Sequence, residues 1–155
     1  TCGVLVFIIA CAVPFGWIVA TSQAPMRLAQ FMMSISNDKF VILALINLGL
    51  LVIGCLMETT AILLIATPTL YPLIVALGID PVHFGIILIV NLLIGTLTPP
   101  FGVILFIMMD IAKISLAQMS RAVLPFYIPL FVTLMIVTYW ADFVLAVPRF
   151  FGKPN

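Results

Sequence analysis

The sequence predicts an all-α integral membrane protein, on the basis of its composition and the spread of its apolar residues. Hydrophobic residues make up 65% of the 155 residues, charged residues make up 7%, and the mean hydropathy is +1.41. A soluble domain carries roughly 25% charged residues, so this chain lacks the polar side chains that a water-exposed surface needs. The apolar residues extend over the whole length, which excludes a cleaved signal peptide as their source. The net charge of +1 gives no indication of a nucleic-acid partner.

The N-terminal part predicts one membrane helix and one surface helix. Residues 3–21 form an apolar run of membrane-spanning length, with Pro14 and Gly16 expected to kink it. Residues 24–36 place their apolar side chains approximately on one helical face, which predicts a short helix at the membrane interface.

Residues 38–77 consist of two apolar runs joined by a very short polar link that contains Glu58. A carboxylate at the bilayer centre costs on the order of 3 kcal/mol, so it needs a specific reason to be there. The link has no Lys, Arg or Pro, which a solvated loop would favour. We therefore predict a re-entrant hairpin whose tip packs inside protein. Two full spans with a tight exposed turn are the alternative, and length does not decide between them.

A helix predicted at 82–111 is interrupted by the run NLLIGTLTPPFG, residues 91–102. Pro99 and Pro100 lack N–H donors and crowd the preceding turn, and the flanking glycines allow other atoms to approach closely. Every backbone polar group in a bilayer must find a partner inside the protein. A broken helix is therefore typical of a polar cavity or a binding site, as in secondary transporters.

The remaining elements complete an all-helical chain. Gly78 to Pro81 predict a turn, with Pro81 placed to start the next helix. Ser115 is expected to cap a short amphipathic helix at 116–122, and the last membrane helix is predicted at 123–147.

The hairpin tip and the broken helix together predict a site rich in oxygen atoms, without thiol or imidazole groups. Hydroxyl, carbonyl and carboxylate oxygens suit a hard cation such as Na⁺. The alternative is that the prolines only kink a packed helix and that Glu58 pairs elsewhere. A channel module is a further alternative, but it would need a continuous polar stripe, and the polar residues cluster only at the two breaks. No enzyme is expected, since Glu58 is the only ionisable residue at membrane depth; a non-transporting membrane scaffold stays open.

The segment GCLMETTAILLIATPTLYPLIVALGIDPVHFGIILIVNLLIGTLTPPFG, residues 54–102, resembles the large membrane subunit of tripartite ATP-independent periplasmic (TRAP) transporters, the DctM-like family. A lone TPP would be a weak signal, but GIDPVHFG followed by NLLIGTLTPPFG at this spacing is specific. The resemblance implies an elevator-type fold of the ion transporter superfamily, built from two inverted repeats. Each repeat has a re-entrant hairpin and a discontinuous helix. This chain corresponds to the C-terminal repeat, and we expect it to be a piece of a longer protein or a short product.

The resemblance also implies a function. Such subunits are multi-pass proteins of the bacterial inner membrane, and they take up organic acids such as C4-dicarboxylates or sialic acid. The implied coupling ion is Na⁺, and no other cofactor is expected. The implied partners are a periplasmic substrate-binding protein, which delivers the substrate, and a small four-helix membrane subunit.

The resemblance assigns candidate site residues in two groups. The hairpin tip comprises Gly54, Glu58, Thr59 and Thr60. The unwound helix comprises Asn91, Gly95, Thr96, Thr98, Pro99, Pro100 and Gly102. The candidate Na⁺ ligands are Gly95, Thr96, Thr98 and Glu58.

Four residues have more specific expected roles. Glu58 either binds the ion or orients the tip by accepting hydrogen bonds from backbone N–H groups. Asn91 is expected to hydrogen-bond the broken backbone. Asp80 and His83 belong to the motif but are expected to cap a helix and form its preceding turn.

Overall fold

The fold is described from a computed structural model of the chain. The described residues are 7, 10, 14, 17, 18, 21, 22, 24–36, 38–57, 59–99 and 102–151. Most of the helix predicted at 3–21 lies outside this set, as do Glu58 and Pro100.

The described part of the chain is helical and contains no β-strand, which confirms the all-α prediction. Its helices are α1 (Ala24–Ile35), α2 (Lys39–Gly54), α3 (Thr59–Ala76), α4 (Pro81–Thr96), α5 (Val103–Ala112), α6 (Leu116–Tyr139) and α7 (Ala141–Phe151). By length and composition, α3 and α6 can cross a membrane.

Helix α4 lies at the centre of the fold. It contacts α2, α3, α5, α6 and α7, while α1 packs against α3. Ile87, Leu88 and Leu92 on α4 are almost completely buried and form the middle of the hydrophobic core. The helix that carries the NLLIGTLTPPFG run is therefore held from several sides.

The predicted hairpin consists of α2, a short link and α3. Asp38 caps α2 by accepting a hydrogen bond from the Phe40 N–H at 2.9 Å. At the other end, the N–H groups of Leu56 and Met57 both donate to the Ile53 carbonyl at 3.0 Å. Because α2 has 16 residues, it is about 24 Å long, which is shorter than a bilayer's hydrocarbon core of about 30 Å.

Two proline residues lie inside α3, at Pro68 and Pro72. Each removes one helical hydrogen bond. Threonine hydroxyls on either side of Pro68 bond back to the helix, from Thr67 to the Leu63 carbonyl at 2.7 Å and from Thr69 to the Ile65 carbonyl at 2.6 Å. The helix therefore continues through both prolines.

The turn predicted at 78–81 is confirmed. Gly78 has a φ of +66°, a conformation that favours glycine, and the Ile79 N–H bonds the Ile74 carbonyl at 3.0 Å, which closes the end of α3. Asp80 then caps α4, and Pro81 is its first residue.

The C-terminal helices differ from the prediction. Ser115 and Gln118 form a capping box, so the predicted cap is confirmed. The helix that it starts does not stop at residue 122, since α6 continues through Pro125 and Pro129 to Tyr139. The chain leaves helical geometry at Trp140, where φ is −110° and ψ is 73°, and α7 follows. Residues 123–147 are thus divided between two helices.

Helices α2 and α4 run in the same direction. Their first turns line one pocket, with Lys39, Asp80 and His83 in its wall. Both helices are 16 residues long, and near their opposite ends Gly54 contacts Gly95. The end of α2 and the end of α4 therefore lie at the same level of the fold.

Candidate ion-binding site at the broken helix

The hairpin and the broken helix meet at two glycines. A Cβ atom on Gly95 would lie 2.7 Å from the carbonyl carbon of Gly54 and 2.8 Å from its Cα. Both are backbone atoms that no side-chain rotation can move away, so this crossing requires glycine at position 95. The structure thereby brings Gly54 of the predicted tip next to Gly95. Asn91, Gly95 and Thr96 were predicted in the unwound segment, and that prediction is wrong, because α4 stays helical through Thr96 and the break begins at Leu97.

Helix α4 ends in a tightened turn. The Thr98 N–H donates to the Gly95 carbonyl at 2.9 Å, three residues back. The Thr96 hydroxyl donates to the Leu93 carbonyl at 2.7 Å, and the Thr98 hydroxyl donates to the Ile94 carbonyl at 2.8 Å. Both hydroxyl hydrogens are therefore used within α4, while the hydroxyl oxygens keep lone pairs that can face another group.

After the break, the chain folds back so that Gly102 lies against two carbonyl oxygens. A Cβ atom on Gly102 would be 2.7 Å from the carbonyl oxygen of Thr96 and 3.0 Å from that of Thr98. In a continuous helix the Thr96 carbonyl would bond the N–H of residue 100, but Pro100 has no N–H. The two oxygens therefore converge near the start of α5. Carbonyl oxygens brought together in this way fit a hard cation such as Na⁺.

Two helix ends of opposite polarity flank the break. Helix α4 presents its carbonyl end there, and α5 begins there with Gly102 as its cap residue. The carbonyl end of a helix carries partial negative charge and the amide end carries partial positive charge. The arrangement can therefore place a cation at the end of α4 and an anionic group at the start of α5.

Two of the other predicted site residues lie at the start of α3. Thr59 and Thr60 are half-buried in its first turn. Glu58, directly before them, and Pro100 in the break lie outside the described residues. The roles assigned to these residues stay predictions.

Asn91 makes contacts different from those expected. Its side-chain N–H groups donate to the backbone carbonyl and the side-chain Oδ1 of Asn47, both at 3.0 Å. They do not reach the broken backbone of α4, because the side chain faces α2. The Asn47 amide in turn donates to the Thr138 hydroxyl of α6 at 2.8 Å. A buried polar chain therefore joins α4 to α2 and α2 to α6.

This row of buried polar side chains leaves one acceptor, Asn91 Oδ1, without a donor among the described residues. Asn91 itself is fully buried. Turning the amide over would not help, because it would place that oxygen against the two oxygens of Asn47. The pair nonetheless fixes the register between α2 and α4, about one helical turn before Gly95 on α4 and about two turns before Gly54 on α2.

Asp80 has the structural role predicted for it, and His83 has a further one. The Asp80 carboxylate accepts hydrogen bonds from the N–H groups of Val82 at 2.8 Å and His83 at 3.2 Å, which confirms the cap. The His83 ring is buried, and its Nε2 lies 2.7 Å from the Val137 carbonyl near the end of α6. It therefore connects α4 to α6 at the end opposite to the break.

The structure adds three polar residues that sequence reasoning missed. Asn47 and Thr138 belong to the buried polar chain, and the Tyr127 hydroxyl donates to the Leu97 carbonyl at 2.6 Å. Asn47 could have been found, because a lone amide inside an apolar run needs a partner. Within the described part of the chain, no group of three or more His, Cys, Asp or Glu residues could hold a metal ion. The oxygen atoms near the break come from backbone and hydroxyl groups instead.

Fold and composition together define an apolar, all-helical protein built around a broken helix. A family model described as "Tripartite ATP-independent periplasmic transporter, DctM component" matches residues 1–143. The chain belongs to this family, whose members are membrane-embedded permease subunits.

Several curated relatives are similar over most of the chain. The sialic acid TRAP transporter large permease protein SiaM of Vibrio cholerae is 45% identical over 137 residues, which cover 88% of this chain and 32% of that protein. The isethionate TRAP transporter permease protein DctMQ of Oleidesulfovibrio alaskensis is 42% identical over 152 residues, 98% of this chain and 23% of the relative. The C4-dicarboxylate TRAP transporter large permease protein DctM of Pseudomonas aeruginosa is 40% identical over 148 residues, 96% of this chain and 35% of the relative. The chain thus spans about a third or less of the length of these relatives.

Proposed function

We propose that this chain is part of a permease that couples the uptake of organic acids to Na⁺, with the coupling ion bound at the break after α4. The observation that carries the proposal is the convergence of the Thr96 and Thr98 carbonyl oxygens on Gly102, beside the Gly54–Gly95 contact. Backbone carbonyls at an interrupted helix are a recurring way for secondary transporters to bind Na⁺.

The proposed ion site includes contributions from both predicted groups of residues. Gly95 and Thr96 in the last turn of α4, and Thr98 directly after it, supply carbonyl and hydroxyl oxygens. Glu58 either supplies a carboxylate oxygen or orients the hairpin tip, and both alternatives are kept. Thr59 and Thr60 are proposed to form the part of the hairpin tip that faces the substrate.

The proposed substrates are organic acids, chosen from those that name the relatives: sialic acid, isethionate and C4-dicarboxylates. The amide end of α5 and the threonine hydroxyls suit a carboxylate or sulfonate group. The proposed setting is a multi-pass protein of the bacterial inner membrane, assisted by a periplasmic binding protein and a small membrane subunit.

The proposed fold of the whole permease is an elevator-type pair of inverted repeats, of which this chain supplies the C-terminal one. At about 24 Å, α2 falls short of the bilayer core, whereas α3 is long enough to cross it, so the support for a re-entrant hairpin is the packing of Gly54 at the end of α2 against Gly95 of α4. The hairpin and the broken helix contact each other through glycine backbone atoms and through the Asn47–Asn91 pair. These contacts are consistent with the two elements moving as one unit during transport.

The proposal is tested by uptake into proteoliposomes that contain the full-length permease with its small subunit and binding protein. Labelled sialic acid, isethionate and succinate are compared with an inward Na⁺ gradient and with choline in place of Na⁺. Thr98→Ala removes the hydroxyl at the break. Thr133→Ala is the matched control, because the Thr133 hydroxyl also donates to a carbonyl four residues back, at 2.8 Å, but on the exposed surface of α6.

We expect Na⁺-dependent uptake of at least one acid, a loss of that dependence in Thr98→Ala, and normal uptake in Thr133→Ala. Uptake that is equal in choline would contradict Na⁺ coupling. The absence of uptake of every acid, with all three proteins present and folded, would favour a non-transporting scaffold. Normal coupling in Thr98→Ala would move the ion site away from this break.

A further inference from the structure

The residue between the two converging carbonyls is held by a side chain from another helix. Leu97 follows the last residue of α4, and its carbonyl accepts a hydrogen bond from the Tyr127 hydroxyl at 2.6 Å. Tyr127 lies on α6, thirty residues along the chain, and is partly buried. This hydrogen bond therefore fixes the middle of the break from outside its own helix.

We propose that Tyr127 is a positioning residue for the coupling ion, an inference that rests on the proposed function. By holding the Leu97 carbonyl toward α6, the Tyr127 hydroxyl keeps the backbone on both sides of Leu97 in one conformation. The Thr96 and Thr98 carbonyls then stay directed at Gly102, where the ion is proposed to bind.

The geometry supports this role because, among the described residues, the other hydrogen bonds of the break run back into α4, where the Thr98 hydroxyl donates to the Ile94 carbonyl at 2.8 Å. The prolines at 99 and 100 bring no N–H groups to the segment, so helical hydrogen bonds cannot continue through it. On the α4 side, the Thr98 N–H is bonded to the Gly95 carbonyl. On the α5 side, Gly102 provides no side-chain cap. The Tyr127 hydroxyl, by contrast, comes from α6 and makes a short hydrogen bond to the Leu97 carbonyl in the middle of the segment.

Among the described residues, the donor to the Leu97 carbonyl is the Tyr127 hydroxyl. The Leu97 residue lines a groove between α5 and α6, together with Leu105, Met108, Phe126 and Leu130. These neighbours are apolar and offer no hydrogen bond. A carbonyl released from Tyr127 would therefore turn to find another donor or a cation, and the adjacent peptide groups would turn with it.

A site that is ordered before the ion arrives binds it more tightly, because less conformational freedom is lost on binding. Loss of one hydrogen bond of average strength corresponds to roughly a fivefold change in an equilibrium constant. We therefore expect Tyr127→Phe to raise the Na⁺ dissociation constant roughly fivefold.

The test is a Na⁺ titration of thermal unfolding, made on the purified full-length permease in detergent, with choline keeping the ionic strength constant. Ligand binding to the folded state stabilises it by RT ln(1 + [L]/Kd), so the dependence of the unfolding midpoint on Na⁺ concentration gives an apparent Na⁺ affinity without a transport substrate. Tyr139→Phe is the matched control. Tyr139 lies on the same helix and is 44% exposed. Its ring centroid is 5.7 Å from that of Phe40, and a phenylalanine at position 139 would keep this ring contact.

The predicted result is a Na⁺ titration shifted to about fivefold higher concentration in Tyr127→Phe and unchanged in Tyr139→Phe. A hydrogen bond with a purely structural role would lower the midpoint equally in choline and in Na⁺, leaving the apparent affinity unchanged. That result would overturn the inference while leaving Na⁺ coupling intact. A wild-type protein that Na⁺ does not stabilise would instead contradict the proposed coupling ion, and this inference with it.

Discussion

Substitution of Gly95 by alanine is expected to separate the hairpin from the broken helix. The added Cβ would lie 2.7 Å from the carbonyl carbon of Gly54, whereas carbon atoms in good contact are about 3.5 Å apart or more. The two helices must therefore move apart by about 0.8 Å at this point. Overpacking of this kind costs about 1–3 kcal/mol.

Two other glycines provide controls for this prediction. Gly85 lies on the same helix, and nothing lies within 4 Å of a Cβ placed there, so Gly85→Ala keeps the gain in helix propensity without the clash. A Cβ on Gly54 would have its nearest neighbour at 3.4 Å, so Gly54→Ala should be tolerated far better than Gly95→Ala although the two glycines touch.

The assay combines the thermal unfolding midpoint of the full-length permease with its Na⁺-dependent uptake. Gly95→Ala should lower the midpoint and strongly reduce uptake, Gly54→Ala should have a small effect, and Gly85→Ala should leave both unchanged or raise the midpoint. A Gly95→Ala variant with the stability and transport of the wild type would refute the close crossing of α2 and α4. Equal losses in all three variants would show that helix glycines matter here for a different reason.

The polar contacts of the fold give three further predictions, each measured as the unfolding midpoint of the full-length protein. Asn47→Leu should destabilise by about 1–3 kcal/mol, since the Thr138 hydroxyl and one N–H of Asn91 lose their side-chain partner, while Asn91 keeps its bond to the backbone carbonyl of residue 47. Thr138→Val should cost less, because it breaks only the hydrogen bond between Asn47 and Thr138; equal effects would contradict this order of contacts. His83→Phe should destabilise by about 1–3 kcal/mol by leaving the Val137 carbonyl unpaired, with the Na⁺ titration unchanged; an altered titration would point to a role beyond structure. Asp80→Ala should cost about 1 kcal/mol through loss of the helix cap, and Asp80→Ser should recover most of it; no recovery would exclude capping as the reason.

The all-helical fold and the turns between helices could be predicted from sequence because their signals are local. The composition fixes the broad class, and the Gly78–Pro81 turn and the Ser115 cap each follow from a few neighbouring residues. The broken helix was also predictable, since consecutive prolines remove backbone donors wherever they occur.

The end of the last predicted helix was not predictable in the same way. Pro125 and Pro129 suggested a helix start, yet α6 continues through both, and the chain leaves helical geometry only at Trp140. Near that point the Val137 carbonyl is bonded by His83 from α4. A contact between a helix end and a side chain more than fifty residues away has no local signature in the sequence.

The partners of the site residues depend on packing in the same way. Asn91 was expected to bond its own broken backbone, but it bonds Asn47, because its side chain faces α2. Tyr127 escaped notice because nothing near it in the sequence links it to Leu97. Sequence reasoning located the break in the helix, while the contacts between helices required the structure.

The most direct test of the central claim is Na⁺ binding to a permease in which the converging carbonyls are blocked. Gly102→Ala places a methyl group 2.7 Å from the Thr96 carbonyl oxygen and 3.0 Å from that of Thr98, at the point where the ion is proposed to bind. Binding of radioactive ²²Na⁺ to the purified full-length protein is compared between the wild type, Gly102→Ala and the control Gly85→Ala. We predict that Gly102→Ala loses bound Na⁺ while remaining folded and that Gly85→Ala binds like the wild type. Undiminished Na⁺ binding in a folded Gly102→Ala variant would contradict an ion site at this break.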